Sequence, residues 1–208
     1  MKKQLLLCCL VAFALVTSGF VLAEKAKIIS NFKLKSATTN KMVSLADYQT
    51  AKGFMVIFTC NKCPMAKLYL KRLNQMDATY KKRGVPLIAI NSMDTLAYAE
   101  ESFKKMQQKA QKEQFSFPYL QDKKQVIVKA FKASHTPQAY VIWKNNAGKW
   151  VVKYEGAIDD NAGEPEKATQ HYLTDAVDQL LANKEVTTPT SESFGCRIFL
   201  RGVKQKMD

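Results

Sequence analysis

The sequence predicts an α/β protein with a central mixed β-sheet flanked by helices and entered through an N-terminal β-hairpin. Three observations carry that prediction. Two continuous runs of β-forming apolar residues, Gly53–Thr59 and Val85–Ile90, bracket a helical pattern, as in a parallel β-α-β step whose strands are buried on both faces. Two later runs, Ala139–Trp143 and Trp150–Tyr154, are joined by the turn residues Asn145-Asn146-Ala147-Gly148. A parallel step and an antiparallel hairpin in one chain make the sheet mixed, with helices needed to cover both faces.

The elements follow in order. Lys2 and Lys3 precede a short apolar run, Leu5 to Val16, and Val21-Leu22-Ala23 offers small residues where a signal peptidase reads. Residues 1–23 are therefore expected to be a signal peptide cleaved after Ala23. The run is short for a membrane span, and a retained anchor is the alternative. Cys8 and Cys9 sit inside the run rather than after a small-residue site, so they do not read as a lipid attachment point. Phe32-Lys33-Leu34 and Val43-Ser44-Leu45 alternate around the turn Thr38-Thr39-Asn40-Lys41, giving the entry hairpin. From Pro64 to Lys82 the stripe Leu68, Leu73, Met76 and Tyr80 faces inward with lysines and Arg72 opposite, and Gly84 ends the helix. Ala99 to Lys112 reads as an amphipathic helix, Phe117–Leu120 as a short extended piece, and Gln125 to Phe131 as a short helix. Pro165 to Leu181 reads as a closing helix. Residues 24–186 form the predicted domain, and 187–208 a tail with a polar linker, Thr187–Ser193, and a short strand at Cys196–Leu200.

The bulk properties narrow the function. The chain has 208 residues and a formal net charge of +14, with its lysines scattered along it. That pattern suits a soluble basic surface rather than a nucleic-acid binder, which would cluster arginine with aromatic residues. Of five cysteines, the two in the leader leave Cys60, Cys63 and Cys196. An exported compartment permits disulfides, but three cysteines are too few and too odd for a disulfide scaffold, which points to cysteine chemistry.

Phe58-Thr59-Cys60-Asn61-Lys62-Cys63-Pro64 lies where a buried strand hands over to a helix. Free N–H groups and the helix dipole at such a point favour a thiolate, and Lys62 adds positive charge. The two-residue spacing lets Cys60 attack a partner disulfide and Cys63 resolve the mixed disulfide. Structural zinc would need a second ligand pair, and only Cys196, His135 and His171 remain. A structural disulfide that never turns over is the other alternative, although so small a ring constrains little chain entropy.

Thr136-Pro137 opens the later hairpin. With the Cys-x-x-Cys-Pro step, this chain resembles the thioredoxin fold, and more narrowly the exported thioredoxin-like proteins related to the alkyl hydroperoxide reductase / thiol-specific antioxidant family. The resemblance runs from about Phe32 to Phe199. It rests on Phe58 to Lys67, Ala89-Ile90-Asn91, Ser102-Phe103, Phe117 to Asp122, Thr136-Pro137, Gly156 to Asn161, His171-Tyr172-Leu173 and Gly195-Cys196. It implies that Pro137 is cis beside the dithiol and that Thr136 offers backbone hydrogen bonds to an extended substrate. The resulting expectation is a thiol–disulfide oxidoreductase acting through Cys60 and Cys63, with Lys62, Thr136 and Pro137 shaping the substrate site. It would have no bound cofactor, protein or small-molecule thiols as partners, and an exported, periplasmic location.

Departures from the family pattern keep other readings open. The strand before Cys60 lacks the buried acid of cytosolic reductants, leaving Glu155, Asp159 and Asp160 as candidates for that role. A peroxidase would use Cys63-Pro64, but Cys60 occupies the position of its threonine, and no arginine lies between Arg83 and Arg197 to polarise a peroxide. A copper-delivery module would recruit His135. Cys196 is either a third redox thiol or a buried inert one.

Overall fold

The computed structural model describes residues 27–202. The leader expected over residues 1–23 lies outside them. Ten strands and five α-helices follow in chain order: β1 (Ile28–Ile29), β2 (Lys33–Ser36), β3 (Met42–Ser44), β4 (Gly53–Phe58), α1 (Pro64–Leu68), α2 (Leu70–Tyr80), β5 (Leu87–Asn91), α3 (Phe103–Lys112), β6 (Tyr119–Gln121), α4 (Val126–Phe131), β7 (His135–Thr136), β8 (Gln138–Lys144), β9 (Trp150–Gly156), α5 (Tyr172–Leu181) and β10 (Cys196–Arg197).

Eight strands form one mixed sheet in the order β1-β9-β8-β4-β5-β6-β2-β3. The β4–β5 and β5–β6 pairs are parallel, while β8, β9 and the β2–β3 hairpin add antiparallel neighbours. Every residue of β4 is buried because both faces of this central strand are covered. Met55 and Ile57 pack with Leu73 of α2, Met106 of α3 and Val177 of α5. Phe54, Val56 and Phe58 face the opposite way, toward Val128 and Phe131 of α4. Phe58 meets Phe131 and Tyr140 edge-on, with ring centroids 5.4 and 5.7 Å apart. Its ring anchors the strand that presents Cys60, so Phe58→Ala is expected to cost about 3–5 kcal/mol, read as a fall in the urea midpoint.

Several local expectations are corrected. Leu68 is exposed, and the inward face of the first helical stretch is Ala66, Tyr69, Leu73 and Tyr80. The stretch breaks at Tyr69 into α1 and α2, so the residue facing the core shifts by one. Gly84 does end it, in the left-handed conformation at φ 85°. Arg72 does not point to solvent: it bonds Asp159 and the carbonyls of Asn161 and Ala162. The closing helix starts at Tyr172 rather than Pro165, because Asp160 captures Thr169 through its side chain and Gln170 through its backbone N–H. The helix after Tyr98 begins at Phe103, behind a separate 3-10 turn, Ala99–Glu101. Residues 187–193 are held against β9: Thr190 bridges Glu155, and Ser191 bonds the Ala157 N–H (2.9 Å) and the Tyr154 hydroxyl (2.7 Å).

Candidate active site

The handover from β4 to α1 places Cys60 directly after a strand and makes Cys63 the N-cap of α1, with Pro64 at the first helical position. Proline suits that position because its missing N–H would be unpaired there anyway. The sequence argument for a thiolate at a helix start therefore applies to Cys63 more than to Cys60. Both sulfurs are buried, at 1% and 2% residue exposure, so no partner reaches them without some movement of what covers them.

One residue touches all three cysteines. The Thr136–Pro137 peptide is cis, as the resemblance implied. The Thr136 hydroxyl lies 3.4 Å from Cys60 Sγ and donates to the Cys196 carbonyl, also at 3.4 Å. The Thr136 carbonyl, 2.9 Å from Cys63 Sγ, accepts the proton of the neutral thiol. Cys63 N–H in turn points at Cys60 Sγ, 3.3 Å away.

The two thiols do not ionise alike. Cys63 is pulled down to about 4, first by the hydrogen bond from Cys60, with the Cys196 thiol and the backbone N–H groups of Ala66 and Cys196 adding to it. Cys60 is pushed far above the usual thiol range by that same hydrogen bond, by burial and by the charge of Glu101. The two sulfurs titrate as one coupled pair, and the contact of Cys63 Sγ with the Thr136 carbonyl is made only while Cys63 keeps its proton. Because the first ionisation of the pair is depressed, a thiolate persists as pH falls below neutrality and is lost only near the depressed value. Thiolate ultraviolet absorbance of the reduced protein should show one charged sulfur per chain at neutral pH, disappearing on approach to pH about 4. A reduced protein without thiolate at neutral pH would contradict this.

A buried acid that no sequence motif marks lies under the loop. Glu101 accepts from Asn61 N–H (2.7 Å), Lys62 N–H (3.0 Å) and Asn91 Nδ2 (2.8 Å). Tyr119 donates its hydroxyl to Asn61 Oδ1 at 2.9 Å, and Lys109 donates to the Cys60 carbonyl at 2.8 Å. These contacts fix the Cys60–Cys63 backbone from below. The signal lay in the distinctive stretches containing Asn91 and Tyr119, and Glu101 immediately precedes Ser102-Phe103. The acids suggested by the sequence sit elsewhere: Asp159 with Tyr69 and Arg72, Asp160 with Thr169, and Glu155 with Lys27.

The Lys62 side chain is exposed while its N–H is held by Glu101. His135 is half-buried, its ring nitrogen Nδ1 2.9 Å from Ser134 Oγ. Among the described residues, no group of three or more His, Cys, Asp or Glu side chains is placed to hold a metal ion. Cys196 is only partly buried and packs against Cys60, Cys63 and Ala66. No helix among the described residues is long and apolar enough to cross a membrane.

A mixed sheet with a Cys-x-x-Cys pair at the head of α1 beside a cis proline defines a redoxin with the thioredoxin-like fold. The exposed lipoprotein thioredoxin (Etrx1) of Streptococcus pneumoniae strain TIGR4 shares that fold, with a TM-score of 0.54 at 16% identity over 74% of this chain and 99% of that one. The chain belongs to the AhpC/TSA family, whose profile matches residues 26–159. It is similar to an uncharacterized conserved protein of Geobacillus kaustophilus, with a TM-score of 0.77 and 29% identity over 86% of this chain and 93% of that one. It is also 26% identical to the thiol-disulfide oxidoreductase ResA of Bacillus thuringiensis subsp. konkukian (strain 97-27), over 73% of this chain and 83% of the relative.

Proposed function

We propose that the protein is a thiol–disulfide oxidoreductase in which Cys60 and Cys63 form the working couple. The single observation that carries this reading is the buried pair of adjacent sulfurs, with its loop fixed by Glu101 and both sulfurs facing Thr136 beside Pro137. A thiolate of the pair attacks a partner disulfide, bonding to one partner sulfur and releasing the other as a thiolate. The second cysteine then displaces the partner and closes Cys60–Cys63. The partner leaves with two thiols and the couple has lost two electrons; the reverse sequence oxidises a dithiol. No bound cofactor is needed, because the sulfurs carry the electrons. Partners are protein or small-molecule thiols, approached along the Thr136 edge with Lys62 at the rim. The relative's activity supports this reading, as does its family. Residues 1–23 make the location exported, in the periplasm where the cell has an outer membrane.

The test is thiol transfer. Reduced protein mixed with a disulfide-bonded polypeptide should release two polypeptide thiols per chain and end with an internal disulfide. A chain that keeps its thiols while the polypeptide stays oxidised would exclude reduction. The same chain, pre-oxidised and still unable to accept electrons from a dithiol, would exclude the couple altogether.

A further inference from the structure

The edge at which Thr136 would receive an extended substrate is already filled by the chain itself. Strand β10 pairs antiparallel with β7, setting Cys196 opposite Thr136 and Arg197 opposite His135. Ile198 N–H continues the ladder to the Ser134 carbonyl at 2.8 Å, and Ile198 is buried in the core. The docking is built rather than incidental. Gln125 grips the segment beyond β10 from both sides, donating to the Phe199 carbonyl (2.9 Å) and accepting from Arg201 N–H (2.7 Å). Arg201 also pairs with Asp94. Gly195 makes the approach sterically feasible: a Cβ there would meet the Thr136 carbonyl oxygen at 2.2 Å. A cysteine thus arrives in extended backbone, at the cis-proline edge, against the buried dithiol.

We propose that Cys196 is the internal partner of the couple and exchanges into its disulfide to form a Cys63–Cys196 bond. This rests on the thiol–disulfide reading. In the oxidised pair, the Cys196 sulfur attacks Cys63 Sγ. The Cys63–Cys196 bond forms, the Cys60–Cys63 bond breaks, and the proton given up by Cys196 ends on Cys60. No electrons enter or leave, so the step needs no oxidant of its own. The contacts suit it. The Cys196 thiol and N–H both reach the Cys63 sulfur, and the departing Cys60 sulfur faces Cys63 N–H at 3.3 Å and the Thr136 hydroxyl at 3.4 Å. The exchange moves the disulfide from two fully buried sulfurs to one that is partly exposed. It also fastens β10 over the site, so that an incoming partner must attack the Cys63–Cys196 bond to open the edge. Cys196 is in this way the gatekeeper of the couple as well as its third sulfur.

The experiment is disulfide mapping. The full chain is equilibrated with oxidised glutathione as the oxidant, quenched in acid, alkylated, and its disulfides assigned by mass spectrometry. Wild type should contain both Cys60–Cys63 and Cys63–Cys196 bonds. Cys60→Ser should still close Cys63–Cys196 rather than stop at a glutathione adduct. Gly195→Val, which cannot seat β10, should lose the Cys63–Cys196 bond by about tenfold or more as the sulfurs lose proximity, while still forming Cys60–Cys63. Cys60–Cys63 alone in wild type, with only glutathione adducts in Cys60→Ser, would overturn the exchange and leave the couple intact. A Cys60–Cys196 bond in its place would also overturn it. A chain that forms no disulfide under any condition would overturn both the exchange and the function beneath it.

Discussion

Cys63→Ser is expected to lower disulfide exchange by about a thousandfold or more, because a sulfur that takes part in every covalent step cannot be replaced by binding alone. Cys63 caps α1 and donates its thiol proton to the Thr136 carbonyl. It is also the sulfur shared by the Cys60–Cys63 bond and the proposed Cys63–Cys196 bond. Cys60→Ser leaves Cys63 facing Cys196 and should be the milder change, with its residual exchange lost again in the Cys60→Ser/Cys196→Ser double variant. Serine is nearly isosteric, so each variant should keep the fold and unfold within about 1 kcal/mol of wild type. Initial rates of thiol release from a disulfide-bonded polypeptide give the comparison. Equal losses in the two single variants would remove Cys63 from its central place.

Glu101→Leu should produce the second large effect. Its carboxylate is the acceptor for Asn61 N–H, Lys62 N–H and Asn91 Nδ2, all in a buried setting. Leucine leaves those donors without a partner, at about 1–3 kcal/mol for each buried unsatisfied group. It also removes one of the negative charges near the half-buried Lys109; burial pulls Lys109 below the usual range, and Cys60, Glu101 and Glu113 work against that fall. The expected result is a loss of about 3–5 kcal/mol in stability, together with a disordered dithiol loop. Glu101→Gln keeps an acceptor oxygen and should recover part of the stability. It also removes the negative charge that pushes Cys60 up, so Cys60 alkylation should become faster at a given pH. A purely structural role for Glu101 would show the stability loss without that change in Cys60 reactivity.

The sequence carried the framework where the signal was local. Strands β4 and β5 were legible because continuous apolar runs of β-formers leave few other conformations. The β8–β9 hairpin was legible from its turn residues, and the dithiol from its place between a buried strand and a proline-capped helix. Boundaries failed where a distant side chain decided them. The closing helix begins seven residues later than its periodicity implied because Asp160 holds Thr169 and Gln170 away from helical geometry. Arg72 looked like part of a solvated face until Asp159, far along the chain, supplied its partner. Leu68 sits on the exposed side because the helix breaks at Tyr69.

The site divides in the same way. Cys60 and Cys63 could be named from motif and order, and Thr136 and Pro137 from the family resemblance. Glu101 could not, since its link to the loop runs through backbone N–H groups that have no sequence signature. Cys196 was visible as a residue, but its relation to the dithiol depends on β10 pairing with β7, a contact between segments about sixty residues apart. The cysteine at the helix start is Cys63, which caps α1, a placement that depends on where the strand ends and the helix begins.

The most direct test of the account is a redox titration of the full chain across a series of reduced and oxidised glutathione ratios, with the trapped disulfides identified at each step. The account predicts one reversible two-electron transition in which Cys63 is bonded in every oxidised chain, to Cys60 or to Cys196. Cysteines that stay free across the whole series, or a disulfide that forms once and is not recovered as thiols on return to reducing conditions, would contradict it.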